Sequence, residues 1–302
     1  MNTAASSSSG HDIFADERER LWGLAYRICG TRSDADDVVQ DAWLRWQRSV
    51  EAEIERPAAW LTTVTTRIAI DFLRGRRRRS ANYVGPWLPE FISTPMAADP
   101  ADLVSSLTVG FLMMLERLDP IERVVFLLAD VFGEPFVDIA STVNRSEVAC
   151  RQIASRARRR VRDPEPRRSV EPTECVRLAA AFAQAAQAGD LSGVEALLSE
   201  TAVLLSDGGA TVRAARRPVV GRQRVARFVV NIAKRSANAQ LGAAVLNGEP
   251  ALVVSRHNSV ELALIVHVEL TALGEDADAT IDHLYILRNP DKLAAISTPR
   301  SA

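Results

Sequence analysis

The sequence predicts a multi-domain protein in which two all-α domains precede an α+β domain. Three observations predict this order. Apolar residues recur at helical spacing through 12–79 and again through about 102–162. Prolines gather after each of these blocks, in 80–101 and in 163–172. In the remainder, 173–302, helical patterns come first and strand-like runs follow, which is typical of an α+β domain.

The overall charge hides two cationic segments. The chain has 302 residues and a formal net charge of −1. Residues 67–79 contain six arginines and one aspartate, and residues 146–162 contain six arginines and one glutamate, so each segment has a local net charge of +5. Because phosphate binding depends on the local field, both segments predict contact with nucleic acid. A solvated arginine-rich helix without a nucleic-acid partner is the alternative for the second segment.

Several classes of protein are excluded by composition. Residues 1–11 are polar and serine-rich, so we expect a disordered start and no signal peptide. No apolar run reaches the roughly 18 residues of a membrane span. The three cysteines, Cys29, Cys150 and Cys175, are widely spaced and imply neither a disulfide framework nor a metal site. We therefore expect a cytoplasmic protein with no membrane segment, cofactor or metal.

Helical spacing in the first block predicts three helices. They run from Asp12 to Cys29 with a stop at Gly30, from a cap at Ser33 or Asp34 to about Arg48, and from Pro57 to Arg74. On the second helix, Asp34, Asp37 and Asp41 form an acidic edge beside apolar residues such as Val38 and Trp46. Such a face suits a basic partner helix, although an acidic helix face is more often simply solvated.

The third helix divides into an apolar side and a threonine-rich side. The apolar side, expected to pack inward, is Trp60, Leu61, Val64, Ile68 and Phe72. The opposite side is Thr62, Thr63, Thr65, Thr66 and Arg67. Threonine is a weak helix former, and small hydroxyls beside a cation can approach single-stranded bases and phosphates closely. The five arginines that end the helix exceed what its dipole needs, which favours contact with a nucleic-acid backbone.

Residues 136–161 predict two short helices joined by the three-residue turn Asn144–Arg145–Ser146. In the second helix an apolar stripe is formed by Cys150, Ile153, Ala157 and Val161. The residues that project away from it are Arg151, Gln152, Ser155, Arg156, Arg158 and Arg159. Ser146 is a suitable N-cap, and Glu147 suits the positive end of the helix dipole. This arrangement suits the DNA major groove.

The last block predicts helices followed by antiparallel strands. The helices are expected at 174–188, with a break at Gly189-Asp190 and a continuation to Leu198, and at 221–235. The strands are expected at 201–205, 239–247, 251–257, 260–272 and 279–287. Asp207-Gly208-Gly209 predicts a tight turn between strands.

The order of these features resembles the extracytoplasmic function (ECF) sigma factors of bacterial RNA polymerase. The matching stretches are DADDVVQDAWLRW at 34–46, RPAAWLTTVTTRIAIDFLRGRRRR at 56–79, and LDPIERVVFLLADVFGEPFVDIA at 118–140 with the arginine helix after it. A subgroup with a fused SnoaL-like C-terminal domain, the SigJ type, is resembled by GPWLPEF at 85–91, DGG at 207–209 and NPDKL at 289–293.

The resemblance implies a domain order and a function. The implied parts are a sigma-70 region 2 domain at 12–79, a linker at 80–101, a region 4 helix-turn-helix domain at 102–162, a linker at 163–172 and a SnoaL-like cone domain at 173–302. The implied function is that of an alternative sigma factor, which binds core RNA polymerase, directs promoter recognition and is modulated by its own tail. Contacts with the clamp helices of the largest polymerase subunit are implied for Asp34, Asp37, Gln40, Asp41, Trp43 and Leu44.

Three further sets of residues follow from the resemblance. Contact with the downstream promoter element is implied for Thr62, Thr63, Thr66, Arg67, Arg74, Arg76, Arg77 and Arg78. Contact with the upstream element is implied for Arg145, Ser146, Arg151, Gln152, Ser155, Arg156, Arg158 and Arg159. We call residues 80–101 the connector and residues 173–302 the tail. Contacts of the tail with the connector or with the sigma domains are implied for Trp87, Leu88, Pro89, Glu90, Asp207, Gly208, Gly209, Asn289, Pro290 and Asp291.

Two other functions compete with this interpretation. A helix-turn-helix regulator with a ligand-sensing tail would need neither the acidic helix nor the separate basic block at 67–79. The SnoaL-like superfamily also contains isomerases, and its fold implies a cavity that can hold a small ligand. The candidate catalytic residues would be Asp207, Asp282, His257, His267 and His283. No acid and base can be paired among them, so we expect no enzymatic activity.

Overall fold

The computed structural model describes residues 3–49, 54–80, 83–95, 105–161, 170–270 and 278–297. The chain forms two compact units, each assembled from two segments. Unit 1 is Met1–Ala81 with Met114–Arg162, and unit 2 is Asn82–Met113 with Asp163–Ala302. Across the described ranges, no helix combines the length and apolarity that a membrane span requires.

In its described residues, the regular secondary structure of unit 1 is all helical. Its first part contains α1 (Thr3–Cys29), α2 (Arg32–Ser49) and α3 (Pro57–Ser80). Its second part contains the end of α4 (Val109–Leu115), α5 (Pro120–Phe126), which continues as a π-helical turn over Leu127–Val131, α6 (Phe136–Val143) and α7 (Glu147–Val161). The three helices of the first part pack on one another around buried Leu21, Leu24 and Leu61.

The ends of the first three helices differ in part from the prediction. The first helix begins at Thr3, nine residues before the predicted start at Asp12. The stop at Gly30 is confirmed, and this residue has φ 77°. The cap predicted at Ser33 or Asp34 is wrong, because α2 begins at Arg32 and the Thr31 hydroxyl accepts from Asp34 N at 3.3 Å.

The predicted helix-turn-helix is confirmed in its bounds and in its faces. The turn between α6 and α7 has Asn144 in the left-handed conformation, with φ 53°. Ser146 caps α7, since its Oγ accepts from Ala149 N at 3.2 Å. The predicted apolar stripe of Cys150, Ile153, Ala157 and Val161 is buried. The register of α7 therefore leaves its arginines on the opposite face.

Unit 2 contains the predicted helices and a six-stranded sheet. The helices are α8 (Pro172–Ala188), α9 (Leu191–Leu197), α10 (Arg222–Arg235) and α11 (Pro290–Leu293). The strands are β1 (Leu198–Asp207), β2 (Val219–Val220), β3 (Gln240–Leu246), β4 (Glu249–Arg256), β5 (Ser259–Leu270) and β6 (Ala279–Leu287). Their order is β2-β1-β6-β5-β4-β3, and every pair is antiparallel except β1 with β6.

The sheet has two buried faces with different partners. Its inner face packs against α8, α9 and α10 through residues such as Phe182 and Val229. Its outer face packs against the connector, through Leu88 and Phe91, and against Val109 in the first turn of α4. Because successive residues of a strand point to opposite faces, β4, β5 and β6 contribute to both clusters.

The connector is thus part of unit 2. Sequence patterning places the start of the second helical domain at residue 102, whereas the described chain leaves unit 2 between Met113 and Met114. An isolated bridge joins Ser93 to Leu246, and Asn247 N donates to Ile92 O at 2.8 Å. Residues 81–82 and 96–101 of the predicted linker, and residues 163–169 of the second one, lie outside the described residues.

Candidate nucleic-acid interface

The α7 helix presents the exposed cationic face that the sequence predicts. Its six outward residues, all exposed, are Arg151, Gln152, Ser155, Arg156, Arg158 and Arg159. Arg151 forms an ion pair with Glu147 and lies 4.7 Å from the centre of the Phe136 ring. Arg158 pairs with Asp130 at 2.8 Å. Exposed ion pairs of this kind are weak, so they leave the arginines available to a phosphate backbone.

The turn before α7 is also accessible. Arg145 is exposed and donates to the carbonyl of Asn144 at 3.0 Å. Ser146 is exposed as well, although its hydroxyl already caps the helix. The first turn of α7, with these two residues before it, has the form of a recognition-helix N-terminus.

Two residues of the predicted base-reading face of α3, Thr63 and Arg67, contact α6. Arg67 donates to Thr142 O at 3.0 Å through Nε and to Ser141 O at 2.8 Å through Nη2. The Thr63 and Thr142 hydroxyls lie 2.9 Å apart. These two carbonyls are at the C-terminal end of α6, where a helix carries partial negative charge and attracts a cation. The Arg67 guanidinium is thereby held against the end of α6, although the residue remains exposed.

A second contact continues the same seam. Arg56, just before α3, makes a bidentate pair with Asp138 of α6 at 2.9 and 3.0 Å. This pair raises the pKa of Arg56 and lowers the pKa of Asp138, in each case chiefly through the hydrogen bond between them. Together with Thr63 and Arg67, it defines the α3–α6 seam.

Two threonines predicted to face nucleic acid are buried. Thr62 donates to Ala58 O at 2.8 Å and accepts from Arg20 of α1 at 2.7 Å. Thr66 is fully buried, and so is Thr65. The prediction of an exposed threonine side is therefore wrong for these residues, because α3 packs in a bundle and contacts α1, α2, α5 and α6. Trp60, Val64 and Phe72, predicted to face inward, are only half-buried.

The arginines at the end of α3 separate into two groups. Arg74 and Arg78 are exposed, as predicted, and Arg74 lies 3.3 Å from Asp71. Arg76 is buried and pairs with Glu116 at 2.7 Å. Arg77 donates to the carbonyls of Glu116 and Leu118. The structure therefore assigns Arg76 and Arg77 to contacts within unit 1, while the other two remain accessible.

Glu116 and Arg123 form a buried ion pair that sequence reasoning missed. Arg123 lies 2.8 Å from Glu116 and donates to Leu115 O at 3.0 Å and to Ile28 O at 2.8 Å. Burial lowers the pKa of Arg123 to about 10, even though Glu116 opposes the shift. Burial alone would raise the pKa of Glu116, but Arg123 and Arg76 lower it below its usual value. An arginine inside the apolar pattern of α5 was the available signal.

The predicted acidic edge of α2 is accessible. Asp37, Gln40 and Asp41 are exposed, and the apolar side chain of Leu44 is 41% exposed. Asp34 is half-buried. Trp43 is half-buried too and packs on Phe14 with ring centres 4.8 Å apart. The helix thus presents carboxylates beside exposed apolar surface, the combination that suits a basic partner helix.

In unit 2, Asp207 is the centre of the contact between the connector and the tail. Its carboxylate is fully buried and accepts from Tyr83 Oη at 2.6 Å, Leu88 N at 3.0 Å and Lys292 Nζ at 2.8 Å. Lys292 also donates to Leu88 O and lies 4.2 Å from the centre of the Trp87 ring. These five residues form the Asp207 cluster. Asp207 ends β1, and its carboxylate also accepts from Gly209 N at 2.9 Å, so it takes part in the predicted turn.

The other residues predicted for interdomain contact surround this cluster. Asn289 donates to Tyr83 Oη at 3.1 Å and caps α11 by accepting from Asp291 N. Gly209 has φ 63°, and a side-chain carbon there would lie 2.8 Å from Asn289. Pro290 begins α11, Gly208 follows Asp207, and Pro89 and Glu90 are buried in the connector. Sequence reasoning did not assign Tyr83 or Lys292 to this set, although NPDKL was the available signal for the lysine.

The carboxylate of Glu249 accepts a hydrogen bond from the backbone at the start of α4. Glu249 is buried and accepts from Val109 N at 3.0 Å. Its other oxygen lies 2.5 Å from His267 Nδ1, and Glu269 lies 3.3 Å from Nε2. Burial alone would lower the pKa of His267, but the two carboxylates raise it to about 10. The imidazolium therefore links β4 and β5 beneath the first turn of α4.

The other candidate catalytic residues of the tail make hydrogen bonds within unit 2 or lie in a turn. His283 is hydrogen-bonded to Asp282 at 2.6 Å, and Ser199 donates to the same carboxylate at 3.2 Å. His257 lies in the turn between β4 and β5 with φ 49°. Within the described ranges, no three residues of the His, Cys, Asp or Glu type are grouped so that they could hold a metal ion.

Comparison with known proteins identifies both helical parts. The model of Sigma-70 region 2 matches residues 13–79, and that of Sigma-70, region 4 matches residues 109–161. The chain is 38% identical to the ECF RNA polymerase sigma factor SigJ of Mycobacterium tuberculosis strain H37Rv, over 91% of this chain and 90% of the relative. It is 37% identical to the probable ECF sigma factor SigI of Mycobacterium tuberculosis, over 58% of this chain and 61% of the relative.

The fold comparison extends through the tail. The crystal structure of Mycobacterium tuberculosis SigJ matches with a TM-score of 0.70 at 31% identity and covers 94% of this chain and 98% of that one. The predicted fold class, two helical sigma domains followed by an α+β domain, is confirmed by these matches. The chain belongs to the ECF family of RNA polymerase sigma factors.

Proposed function

We propose that this sigma factor directs initiation at promoters through α3 and α7, and that the described conformation is a closed one. The α3–α6 seam carries this proposal. Arg67, expected at the downstream element, gives two donors to carbonyls of region 4, and Thr63 is bonded to Thr142. Although Arg67 is exposed, these bonds use part of its donor set and hold it against α6, so we propose that it leaves α6 to contact a base. Region 2 must therefore separate from α6 before it captures the melted strand.

The two helices proposed to bind the promoter differ in whether their DNA-contacting residues are bonded to another part of the chain. The outward residues of α7 are exposed in the closed conformation. We therefore expect the free chain to engage the upstream element through α7 first, with Arg151, Gln152, Ser155 and Arg156 near base edges and Arg158 and Arg159 on phosphates. The downstream element follows once the seam has opened.

The acidic face of α2 supports binding to core RNA polymerase. Asp37, Gln40 and Asp41 are exposed beside Leu44. A basic surface on the largest subunit, its clamp helices, fits this charge pattern. Binding of the polymerase would supply the free energy that opens the seam, since a partner shifts a two-state equilibrium by its differential affinity for the two states.

The tail, in this proposal, fixes the connector. The Asp207 cluster attaches the connector, and the Glu249–Val109 bond attaches the start of α4, to the same sheet. The connector is the chain that joins region 2 to region 4. Its attachment shortens the reach between the two domains, so the tail sets how far they separate during initiation.

A reversible cross-link tests the closed conformation. In the variant Thr63→Cys with Thr142→Cys, the new thiols replace hydroxyls that are 2.9 Å apart. Oxidation is expected to lock the α3–α6 seam and to abolish promoter opening by the holoenzyme, followed as permanganate reactivity of the melted strand. Reduction is expected to restore it. The two single variants under the same oxidation are the controls, because they keep the native cysteines without the cross-link.

The cross-link result separates two interpretations. If the oxidised double variant opens promoters as well as its reduced form, the seam is irrelevant to initiation and the closed-state proposal is wrong. Upstream duplex binding by the oxidised chain should remain unchanged, since α7 is exposed in the closed state.

Charge reversal tests the polymerase surface. Asp37→Arg with Asp41→Arg is expected to weaken binding to core polymerase by more than about tenfold, since like charges would then face each other. Asp16→Arg, an exposed acid on α1, is the matched control and should bind normally. Fluorescence anisotropy of a labelled chain gives the affinity. Equal binding by the double variant and the control would contradict the assignment of α2.

A further inference from the structure

The tail contains an apolar cavity on the face of the sheet opposite to the connector. Its volume is about 360 Å³. The walls come from α8, α10 and the inner face of the sheet, and include Phe182, Leu252, Leu264 and Ile286. Lys234, in the last turn of α10, is exposed and lines the cavity together with Gln187 and Ser236. The cavity therefore has an apolar interior and a polar edge that carries a positive charge.

The lining provides neither an acid nor a histidine, the commonest groups in proton transfer. Among the lining residues, all of which lie in the described chain, Lys234 is the only charged one, and none is an acid or a histidine. The five residues considered as catalytic candidates are all elsewhere. Asp207 is bound to Lys292 and Tyr83, and His267 to Glu249. A general acid–base reaction needs a titratable group within hydrogen-bond reach of the substrate. The cavity is built for binding.

The same lining defines the class of ligand. Apolar walls bury an aliphatic body, and a lysine ammonium without an acidic neighbour in the lining favours an anionic end. Since a water-sized heavy atom takes roughly 30 Å³ in a liquid, a cavity of about 360 Å³ suits roughly 12 non-hydrogen atoms. We infer that the tail binds an aliphatic carboxylate of medium chain length, with its chain in the cavity and its carboxylate at Lys234.

The position of the cavity connects the ligand to the connector. On β4, Leu252 faces the cavity while Ala251 and Val253 face the connector cluster. The same alternation holds on β5, where Leu264 faces the cavity and Ile265 the connector. One layer of sheet thus separates the ligand from the connector. Because coupling between two sites is reciprocal, a ligand that stiffens these strands favours the bound connector, and the bound connector favours the ligand.

Binding of decanoate to the full-length chain tests this inference. Decanoate has the required size and charge, and decanol is its neutral counterpart. Isothermal titration is expected to give one saturable site for decanoate. Lys234→Met should weaken decanoate binding by about tenfold and leave decanol binding unchanged, because only the carboxylate loses a charged partner. Lys234→Arg should restore it. Arg235→Met, which removes the neighbouring charge outside the cavity, should bind decanoate normally.

A second variant controls for folding. Ala239→Trp fills the half-exposed edge of the cavity without adding volume to the fully buried core, so it should remain folded and lose both ligands. Absence of saturable decanoate binding overturns the inference. Equal weakening by Lys234→Met and Arg235→Met overturns the role of Lys234.

The regulatory part of the inference rests on the proposed function, but the binding test does not. Titration needs no polymerase and no promoter. A chain that initiates transcription without binding decanoate contradicts this inference alone. A chain that binds decanoate but does not initiate transcription contradicts only the proposed function.

Discussion

The α3–α6 seam and the Asp207 cluster both contain an ion pair, but the first pair is exposed to solvent and the second is buried. The α3–α6 seam joins Arg56 to Asp138, and its Arg56 side chain is 66% exposed. The Asp207 cluster joins Asp207 to Lys292, whose side chains are 0% and 9% exposed. Water competes for the first pair, and its charges can separate at little cost. The second pair has no such alternative, because a charge left without its partner inside the protein is costly.

This difference indicates which contact can open. A conformational switch needs contacts whose loss is compensated by solvent, and the α3–α6 seam provides them. A permanent attachment needs contacts that solvent cannot replace, and the Asp207 cluster provides these. In the proposed opening, the connector is therefore expected to stay with the tail while region 2 and α6 separate.

The largest effect on stability is expected from a change in the Asp207 cluster. Asp207→Asn removes one charge of the buried pair and should lower the free energy of unfolding of unit 2 by about 3–5 kcal/mol. Chemical denaturation followed by Trp87 fluorescence measures it, in a chain whose other four tryptophans are changed to phenylalanine. Asp291→Asn, an exposed acid on α11, is the control and should have little effect. A cost for Asp207→Asn as small as that of the control would mean that the cluster is not a permanent attachment.

An intermediate effect is expected from pH in the same unit. The folded-state pKa of His267 is about 10, above its ordinary 6.5, because Glu249 and Glu269 outweigh the opposing effect of burial. The stabilisation is therefore complete below about pH 6.5 and is lost as the pH rises through about 10. The denaturation midpoint of unit 2 should fall over this window. Glu249→Gln should reduce this dependence, and an identical slope in that variant would contradict the assignment.

Helix α7 provides a reference for these comparisons, because the residues proposed to contact DNA are exposed there. Arg156→Ala should cost about 1–3 kcal/mol in binding of the upstream duplex by the free chain and should relax specificity at one position. Arg67→Ala should leave that binding unchanged, because Arg67 is engaged within the protein. Electrophoretic mobility shifts with single-base variants measure both. Loss that is uniform across sequences would reassign Arg156 to phosphate contact.

The smallest effect on stability is expected from a change in the α3–α6 seam. Asp138→Ala removes the partner of Arg56 and should leave the unfolding midpoint of unit 1 nearly unchanged, since the pair is open to water. It should nevertheless increase binding of a single-stranded downstream element, because α3 is released more often. Cross-linking yield to a labelled oligonucleotide reports this. A large loss of stability would indicate that the seam is as permanent as the Asp207 cluster.

Local pattern determined the elements and several of their faces. The stripe of Cys150, Ile153, Ala157 and Val161 predicts the buried side of α7, and the structure confirms it. Gly30 predicts the end of α1 because only a residue tolerant of positive φ fits there. The helix-then-strand order of the tail is likewise present in the spacing of its apolar residues. The short strand β2 was missed, since two residues carry no period.

Apart from the interdomain set that the resemblance implied, the candidate sites were predictable where the partner is solvent or lies nearby in sequence. The arginines of α7 and the acids of α2 are exposed as expected, because one helix face was already assigned to the core. Thr62 and Thr66 were expected on a surface and are buried, because α3 has several packing partners and a single helical period describes only one.

The chain by itself therefore determined which segments are helices or strands and which residue types carry charge. Tertiary structure alone decided that Arg67 faces the carbonyls of α6, that Asp207 meets Lys292, and that Arg123 reaches Ile28. These partners are far apart in sequence, and no local period encodes a distance between them. Their pairing depends on how packed elements converge, which is a property of the assembled fold.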